Sequence, residues 1–526
     1  MVVRGNRIFG FGWIFHPQHA VTDLWLKITL ADGSQRTLQV ELGRARVDVA
    51  QAFPGLANAV RAGYFVFGGW SGAALDSVAL AGRTGDGAGF ELAVPVTALD
   101  SPAPEPSLLA RYRPLLKRAG GLARSGRLRL LFAKAREHFG QNAAVLNYSQ
   151  AGVVRELRKS ACGRATLMLD HDLGGGANIY RERIITECLA RGEAVALLTY
   201  QVRDLRYVLE TRTRNRTRRF AVGGPAVIEA LACAGCFAEI MFNNAVSFER
   251  PEEIPLLLAA LKRRHGIPLT VVLHDYYSLC PSQFLLDHQA RFCGVPDPGG
   301  CNACLAANKD GFVSLFPARD MATWRANWGA LLDAADHLIL FSESSRALLM
   351  RAYPSLSPAH IQVRPHAVAR PSSTKPRLRA GTPMHLGVVG HINHAKGANV
   401  VRELSREIAS RGLDIRITVI GSITGDCAEG VVTETGVYAH ADLPALIERS
   451  GANLFLFPSI VPETFSFVTQ ELIDFGVPLV CFDLGAQAER VRHYDKGRVI
   501  QWRGAAQALA QMRDFHAARS LAADTR

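Results

Sequence analysis

Short apolar runs alternate with longer amphipathic stretches over most of the chain. Each run is short enough for a buried strand, and the stretches between the runs carry apolar residues at helical spacing. The first set of predicted strands lies at 165–169, 194–199, 238–242, 268–273 and 337–341. One predicted helix ends near residue 190, and three others lie near 252–264, 319–334 and 343–352. This alternation predicts an α/β domain with a doubly wound parallel sheet.

The alternation restarts after a Pro-rich stretch at 369–377. A predicted strand ends at Val389, another spans 417–422, and residues 451–485 form a strand, loop, helix and strand. We therefore expect two Rossmann-like domains, the first at 165–368 and the second at 383–526, joined by a linker at 369–382.

The first hundred residues have a different pattern. Strand-like runs at 24–30, 37–41 and 63–67 are separated by turns rich in Gly, Asp and Ser, which is typical of a small β-sandwich. Residues 1–100 are therefore predicted to form an accessory β-domain. Trp25 and Trp70 could form a platform for a sugar, but core packing is the favoured role for both.

Residues 101–164 are predicted to form a basic helical linker. The segment holds thirteen Lys and Arg against three Glu, within a chain of net charge +13. The cations therefore concentrate in one segment that lacks a nucleic-acid motif, and no nucleic-acid partner is expected. Paired leucines and cations at 106–140 suit a helix on an anionic membrane surface, and suit a connecting helix packed on its neighbours equally well.

No apolar run reaches the length of a membrane span, and no signal peptide is recognisable at the N-terminus. These features predict a cytoplasmic protein. If the basic segment binds lipid, the protein lies at the inner face of the plasma membrane.

The unit at 451–485 holds the densest candidate chemistry. Glu463 lies in the loop after the first strand, where open α/β folds bind ligands, and Glu471 lies about two helical turns further on. Backbone N–H groups near Phe465, Ser466 and Phe467 offer donors to a phosphate at the start of the helix. A ligand whose phosphate binds there and whose hydroxyl groups bind the two carboxylates would be a sugar nucleotide.

The order Pro462, Glu463, Phe465 and Glu471, followed by Gly476-x-Pro478, resembles the donor signature of retaining GT-B glycosyltransferases of family 4. The resemblance implies that Glu463 holds hydroxyls of the donor sugar and that Glu471 binds the ribose. Ser466 stands where that family usually has Gly.

Three further positions resemble the same family, in the expected order. Lys396 stands where the family has a Lys on the donor diphosphate, whereas His391 replaces the usual Arg five residues earlier. His274, at the end of a buried strand, resembles the active-site His that contacts the transferring sugar; a structural His is the alternative.

The glycines at Gly174, Gly175 and Gly176 follow the first strand of the α/β region. They allow close backbone approach to a ligand, although a bare tight turn explains them too, and they do not match the dinucleotide fingerprint. Their position resembles the glycine loop of GT-B enzymes near the donor phosphate.

The resemblance implies a GT-B fold and a retaining glycosyltransferase that needs no catalytic metal. Its partners would be a nucleotide-sugar donor and a glycan or lipid-linked acceptor, in the assembly of a bacterial surface polysaccharide. Front-face attack would let the departing phosphate take the acceptor proton. A dehydrogenase is disfavoured by the missing GxGxxG sequence. A catalytically inactive protein that binds nucleotide sugars or glycans is the alternative, supported by Ser466 and His391.

Four of the ten cysteines, Cys280, Cys293, Cys301 and Cys304, lie within twenty-five residues of one another. The two-residue gap between Cys301 and Cys304 lets both thiolates reach one zinc ion. The surrounding segment is rich in turn residues and has little apolar surface of its own, so a metal would help to order it. A structural zinc held by all four thiolates is the favoured interpretation, with disulfides or unligated thiols as alternatives.

Overall fold

The computed structural model describes residues 1–44, 46–53, 55–56, 58–59, 62–99, 145–159, 163–308, 320–367, 376 and 383–524. The basic segment at 106–140 and most of the linker at 369–382 lie outside these residues. The described chain forms an N-terminal β-sandwich and two α/β domains, each built on one central sheet. The α/β pair has the GT-B arrangement, as expected.

The β-sandwich consists of two packed sheets. Its strands are β1 (Val2–Arg4), β2 (Arg7–Trp13), β3 (Val21–Leu30), β4 (Gln35–Gln39), β5 (Glu41–Arg44), β6 (Gly63–Gly69), β7 (Leu75–Thr84), β8 (Gly89–Ala93) and β9 (Thr97–Ala98), with a short helix α1 (Val47–Ala52). One sheet has the order β5-β6-β2-β1-β9 and the other β4-β3-β7-β8. Ile8, Leu26 and Ile28 are fully buried between the sheets.

The two tryptophans of the β-sandwich differ in their burial. Trp70 is buried in the core and donates its indole N–H to the carbonyl of Ala73 at 3.1 Å. Trp25 is only half-buried, because its neighbours Leu24 and Leu26 take the inward face of β3. Core packing is therefore observed for Trp70 alone.

The N-terminal α/β domain has a nine-stranded sheet of order β10-β14-β13-β12-β11-β15-β16-β17-β18. Its strands are β10 (Val145–Asn147), β11 (Ala165–Leu169), β12 (Ala194–Gln201), β13 (Arg206–Thr213), β14 (Arg216–Val222), β15 (Phe237–Phe242), β16 (Leu269–Val272), β17 (His337–Leu340) and β18 (Ile361–Val363). Its helices are α2 (Gln150–Leu157), α3 (Gly176–Ala190), α4 (Val227–Cys233), α5 (Ile254–His265), α6 (Pro298–Ala307), α7 (Met321–Ala334) and α8 (Glu343–Ala352).

This sheet differs from the predicted one in two respects. Strand β13 runs antiparallel to β12 and β14, so the sheet is mixed where a parallel one was expected. The hairpin was missed because its strands are rich in Arg, whose charge is balanced by Glu210, which pairs with Arg212 on its own strand and with Arg219 on β14. Strand β10 and helix α2 also belong to this domain, so it begins before residue 165.

The C-terminal α/β domain has a six-stranded sheet of order β21-β20-β19-β22-β23-β24, with every pairing parallel. Its strands are β19 (His385–Ile392), β20 (Arg416–Ile423), β21 (Val432–Glu434), β22 (Leu454–Phe457), β23 (Leu479–Phe482) and β24 (Gly497–Ile500). Its helices are α9 (Ala398–Ser410), α10 (Leu443–Ser450), α11 (Phe467–Phe475), α12 (Gly485–Arg492) and α13 (Ala505–Asp524). Apolar clusters on both faces of the sheet bury β19, β20 and β22.

Among the residues that the structure describes, hydrogen bonds at two places join the α/β domains across the cleft between them. The Thr464 hydroxyl donates to the His274 carbonyl at 2.8 Å, and the Glu489 carboxylate accepts from the backbone N–H groups of Ser344 at 2.9 Å and Glu343 at 3.3 Å. Both lie at the carboxyl ends of the strands, where this class of fold binds ligands. Within the described parts of the chain, no helix is both long and apolar enough to span a membrane.

Candidate active site

An ion pair between Lys396 and Glu463 lies on the side of the cleft that the C-terminal α/β domain forms. The Lys396 Nζ lies 2.5 Å from Glu463 Oε1, and the carboxylate is the more buried partner. The Lys396 ammonium also lies 5.7 Å from the centroid of the Phe457 ring at the end of β22. The two residues are 67 positions apart in sequence, and parallel strands β19 and β22 bring their loops together.

Two backbone contacts hold the Lys396 loop against the Glu463 loop. The Ile460 N–H and the Ser459 hydroxyl both donate to the Ala395 carbonyl, at 3.1 and 3.3 Å. Gly397 has φ +86°, and a Cβ there would lie 2.0 Å from the Pro458 carbonyl oxygen. Only glycine fits this approach, so the pair depends on it for its geometry.

Gln487 positions the Glu463 backbone from beneath. Its side chain is fully buried, accepts from the Glu463 N–H at 3.0 Å and donates to the Val461 carbonyl at 2.8 Å. The Ala486 N–H donates to the Glu463 carbonyl at 2.8 Å. Gln487 satisfies groups at both ends of the turn that presents the carboxylate. Sequence reasoning missed it, because a lone Gln on a helix carries no pattern.

Ser466 has a left-handed backbone, with φ +64°, which costs an L-residue about 1–2 kcal/mol. Its hydroxyl lies 2.7 Å from that of Thr469, and both residues are buried. Helix α11 begins one residue later, so Phe465 precedes the helix and only Phe467 belongs to its first turn. A glycine conformation is thus kept at this position despite the serine.

His274 lies on the opposite face of the cleft, just after β16. Its Nε2 lies 2.6 Å from Asn243 Oδ1, and the Asn243 amide nitrogen donates to the Ala177 carbonyl at 3.2 Å. Because that amide is oriented by Ala177, Nε2 is the protonated, donating nitrogen. Burial, with smaller contributions from His366 and His171, holds the pKa of His274 well below its usual value. The imidazole is therefore neutral at pH 7.

Asp275, the next residue, is fully committed to hydrogen bonds. One carboxylate oxygen accepts from the Asn244 amide at 2.8 Å and the other from the Tyr277 N–H at 2.9 Å. Burial raises the pKa of Asp275, and those two hydrogen bonds oppose the shift. Asp275 thus secures the loop that carries His274.

An aromatic stack that includes His366 bridges the two faces of the cleft. The His366 ring lies 3.8 Å from Phe341 and 5.9 Å from His274 on the N-terminal side, measured between centroids, and 4.8 and 5.0 Å from Phe465 and Phe467 on the C-terminal side. Burial, with Arg183 and Arg490 nearby, lowers the pKa of His366 to about 4. His366 lies just before the linker, and no motif in the sequence marks it as a candidate site residue.

The loop with Gly174, Gly175 and Gly176 faces the start of helix α11. Gly174 and Gly175 have φ near +86° and open space around them, whereas a Cβ on Gly176 would lie 3.0 Å from the Phe467 ring. Asn178 fixes the loop, since it accepts from the Gly174 N–H at 2.7 Å and donates to Asp170 at 2.9 Å. The loop with these glycines therefore lies against Phe467 of the other α/β domain, and its contact with a donor phosphate stays a prediction.

Glu471 and His391 lie apart from the Lys396–Glu463 pair. Glu471 lies on α11 with one carboxylate oxygen 3.7 Å from His440 Nε2, and burial raises its pKa against the opposing effect of His440. His391 lies on β19, not in the loop that we expected after Val389, and its Nδ1 lies 2.8 Å from the Ser422 hydroxyl. The second carboxylate lies about one turn into α11, which begins at Phe467, and has a different partner from Glu463.

The four cysteines lie in one neighbourhood of the N-terminal α/β domain and are all free thiols. Cys301 and Cys304 lie on helix α6, not in a loop as expected. Burial, with the other three thiols adding to it, raises the pKa of Cys280 to about 12. Among the residues that the structure describes, no three His, Cys, Asp or Glu side chains are placed to hold a metal. The zinc stays a prediction.

The C-terminal α/β domain matches a known sequence family. Residues 370–522 match the family described as glycosyl transferases group 1. This part of the chain is a glycosyltransferase domain. By this domain the chain is an enzyme of glycosyl transfer, and the cleft between its α/β domains is the candidate active site.

Several solved structures resemble the chain. Anabaena HepE in complex with UDP-glucose is 16% identical, with 66% of this chain and 89% of that chain covered and a TM-score of 0.40. Sucrose-phosphate synthase from Thermosynechococcus elongatus is 18% identical, with 68% and 90% covered and a TM-score of 0.45. The catalytic domain of starch synthase IV from Arabidopsis thaliana, bound to ADP and acarbose, is 10% identical, with 67% and 92% covered and a TM-score of 0.40.

A comparison with curated proteins finds no match.

Proposed function

We propose that the protein is a retaining glycosyltransferase that moves a sugar from a nucleotide-sugar donor to a glycan or lipid-linked acceptor. The observation that carries the proposal is the Lys396–Glu463 pair, held by glycine-dependent backbone contacts beside a neutral His274. A cation for the leaving phosphate and a carboxylate for the sugar hydroxyls then lie side by side.

The donor would lie along the start of α11. Its diphosphate would replace Glu463 as the ion-pair partner of Lys396. It would also accept hydrogen bonds from the first N–H groups of the helix, which carry a partial positive charge. Glu463, freed from Lys396, would accept hydroxyls of the sugar. Glu471, about one turn into α11 with Tyr438 and His440 around it, would accept the ribose hydroxyls.

Retention of configuration is proposed because His274 and Asp275, on the opposite side of the cleft, are already engaged in hydrogen bonds. His274 is neutral and donates Nε2–H to Asn243, and both oxygens of Asp275 accept hydrogen bonds. The lowered pKa of His274 also makes its other nitrogen, Nδ1, a weak base. In this proposal the departing phosphate therefore takes the acceptor proton as the new bond forms on the same face of the sugar. Each well-placed donor to that phosphate is worth about 3–4 kcal/mol.

The test measures nucleoside diphosphate release with a panel of UDP, GDP, ADP and dTDP sugars. Lys396→Met and Glu463→Gln should each reduce kcat at least about 100-fold, while Glu403→Gln, on the exposed face of α9 in the same domain, should leave kcat unchanged. NMR of the product should show the donor's anomeric configuration. Inversion would refute the mechanism. Donor binding without turnover would instead favour a sugar-nucleotide-binding protein.

The proposed setting is bacterial surface polysaccharide synthesis on the cytoplasmic side of the membrane. Its support is by analogy with the resemblance noted in the sequence.

A further inference from the structure

The outer face of one β-sandwich sheet carries a row of aromatic side chains. Phe9, Phe11 and Trp13 alternate along β2 and therefore share one face, and Phe65 and Phe67 lie directly opposite on β6. Ile8, which precedes Phe9 on β2 and lies on the other face of the strand, belongs to the sandwich core. This aromatic row thus faces away from the core of its own domain.

One end of the row docks on the N-terminal α/β domain. Phe9 and Phe67 join its core, with Phe67 6.2 Å from Tyr200 between ring centroids, and Arg7 pairs with Glu249 at 3.3 Å. Tyr200 lies next to the last residue of β12. The sandwich therefore docks at the carboxyl-end side of the sheet, where the cleft opens.

The same sheet reaches the C-terminal α/β domain through its edge strand. Gly43, a bulged residue of β5 with φ +91°, lies so close to Thr424 that a Cβ would be 2.9 Å from its methyl group. Thr424 follows β20, two residues after Ser422, which contacts His391. One sheet thus touches both domains beside the cleft.

The uncovered part of this face keeps large aromatic rings in solvent. Phe11 is 68% exposed and Trp13 is 46% exposed. The Trp13 ring is held by Phe15 and Phe53, with centroids at 5.8 and 5.7 Å. Phe15 in turn packs on a small buried cluster beneath it. The indole is therefore fixed in place and still open on one side.

We propose that Phe11 and Trp13 form a binding platform for the glycan part of the acceptor, outside the reacting subsite. Successive sugar rings present flat C–H faces that stack on aromatic rings, and Phe11 and Trp13 are about 7 Å apart along the strand. Trp13 lies level with Arg44 across β6, about 10 Å from that edge strand. The platform therefore continues from the cleft toward solvent. The inference rests on the proposed function, because it takes a glycan as the acceptor.

A glycan is favoured over a lipid bilayer as the occupant by the continuity of the face with the cleft. Polar groups border the rings: Glu41 lies in the same cross-strand row as Phe11 and Phe65, and stacked His16 and His19 follow Phe15. A carboxylate and imidazoles suit sugar hydroxyls.

The test measures binding of maltohexaose, cellohexaose and hexa-N-acetylchitohexaose to the full chain by calorimetry. Wild-type protein should bind at least one of them, and Trp13→Ala and Phe11→Ala should each weaken that affinity at least tenfold, with Trp13→Phe intermediate. Leu92→Ala, an equally exposed apolar residue of the other sheet, should have no effect. Glu463→Gln should still bind the hexasaccharide, so loss of transfer and loss of the platform are separable.

Absence of binding to all three probes would overturn the platform, as would unchanged affinity in Trp13→Ala. Binding to phosphatidylcholine vesicles that is lost in Trp13→Ala, without saccharide binding, would make the face a membrane contact and overturn it too.

Discussion

Gly397→Ala should reduce turnover by displacing the backbone that carries Lys396. Gly397 follows Lys396 and precedes helix α9, and a methyl group there would lie 2.0 Å from the Pro458 oxygen and 2.6 Å from its carbonyl carbon. A relaxed carbon–oxygen contact is about 3.3 Å. The two loops must therefore separate by about 1 Å, and both contacting groups belong to backbone that cannot rotate away.

The free-energy cost has two parts. A left-handed alanine costs about 1–2 kcal/mol, and overpacking adds about 1–3 kcal/mol. A displacement of about 1 Å at a reacting site reduces turnover about 100-fold. Gly412→Ala is the matched control, since Gly412 has φ +57° at the other end of the same helix with nothing within 4 Å. Only the cost of the left-handed backbone applies to Gly412→Ala.

The assay pairs urea unfolding with diphosphate release. Gly397→Ala should lose about 2–5 kcal/mol of unfolding free energy and about 100-fold in kcat, whereas Gly412→Ala should lose about 1–2 kcal/mol and keep its kcat. Equal losses in both variants would refute the close approach to Pro458 as the element that sets the Lys396–Glu463 geometry.

Four further outcomes are expected. Elemental analysis should find about one zinc per chain, lost in Cys301→Ser/Cys304→Ser; metal-free protein with titratable thiols would refute the site. Wild-type protein should co-sediment with anionic vesicles at low salt and be released at high salt if residues 106–140 bind lipid; equal binding to neutral vesicles would contradict this. The unfolding free energy should fall as pH drops from about 6.5 to about 4, because the unfolded chain binds a proton that half-buried His366 does not bind in the folded state; His366→Phe should reduce that slope, and an unchanged slope would argue against His366 as a source. Glu489→Gln should weaken the interdomain contact with Ser344 and raise the donor KM; an unaltered KM would exclude that role.

The sequence pattern predicted those parts of the candidate site whose residues lie close together in the chain. The strand, loop and helix around Glu463 follow from an apolar run, a Pro and a helical stripe, and the structure places them as β22 and α11. The roles of Lys396 and His274 came from resemblance at fixed offsets, and the structure brings both residues to the cleft.

Residues that act across the fold could not be predicted in the same way. His366 gains its place from Phe341 and Phe465 on opposite sides of the cleft, contacts that no spacing in the sequence encodes. The aromatic row of β2 was missed for the same reason: Phe11 and Trp13 alternate like core residues, and only the docking of the sheet decides which of them stay in solvent.

The contacts that join the α/β domains lie next to residues of the candidate site. Thr464, which donates to the His274 carbonyl, is adjacent to Glu463, and Glu489, which accepts from the first N–H groups of α8, lies on the same helix as Ala486, whose N–H donates to the Glu463 carbonyl. Lys396, Ala486 and Gln487 belong to the same domain as Glu463, so a rotation that opens the α/β domains would break the contacts to His274 and Ser344 and leave the Lys396–Glu463 pair in place. Opening would therefore separate Glu463 from His274, and closure would bring the two sides of the cleft together and exclude water from the reacting phosphate.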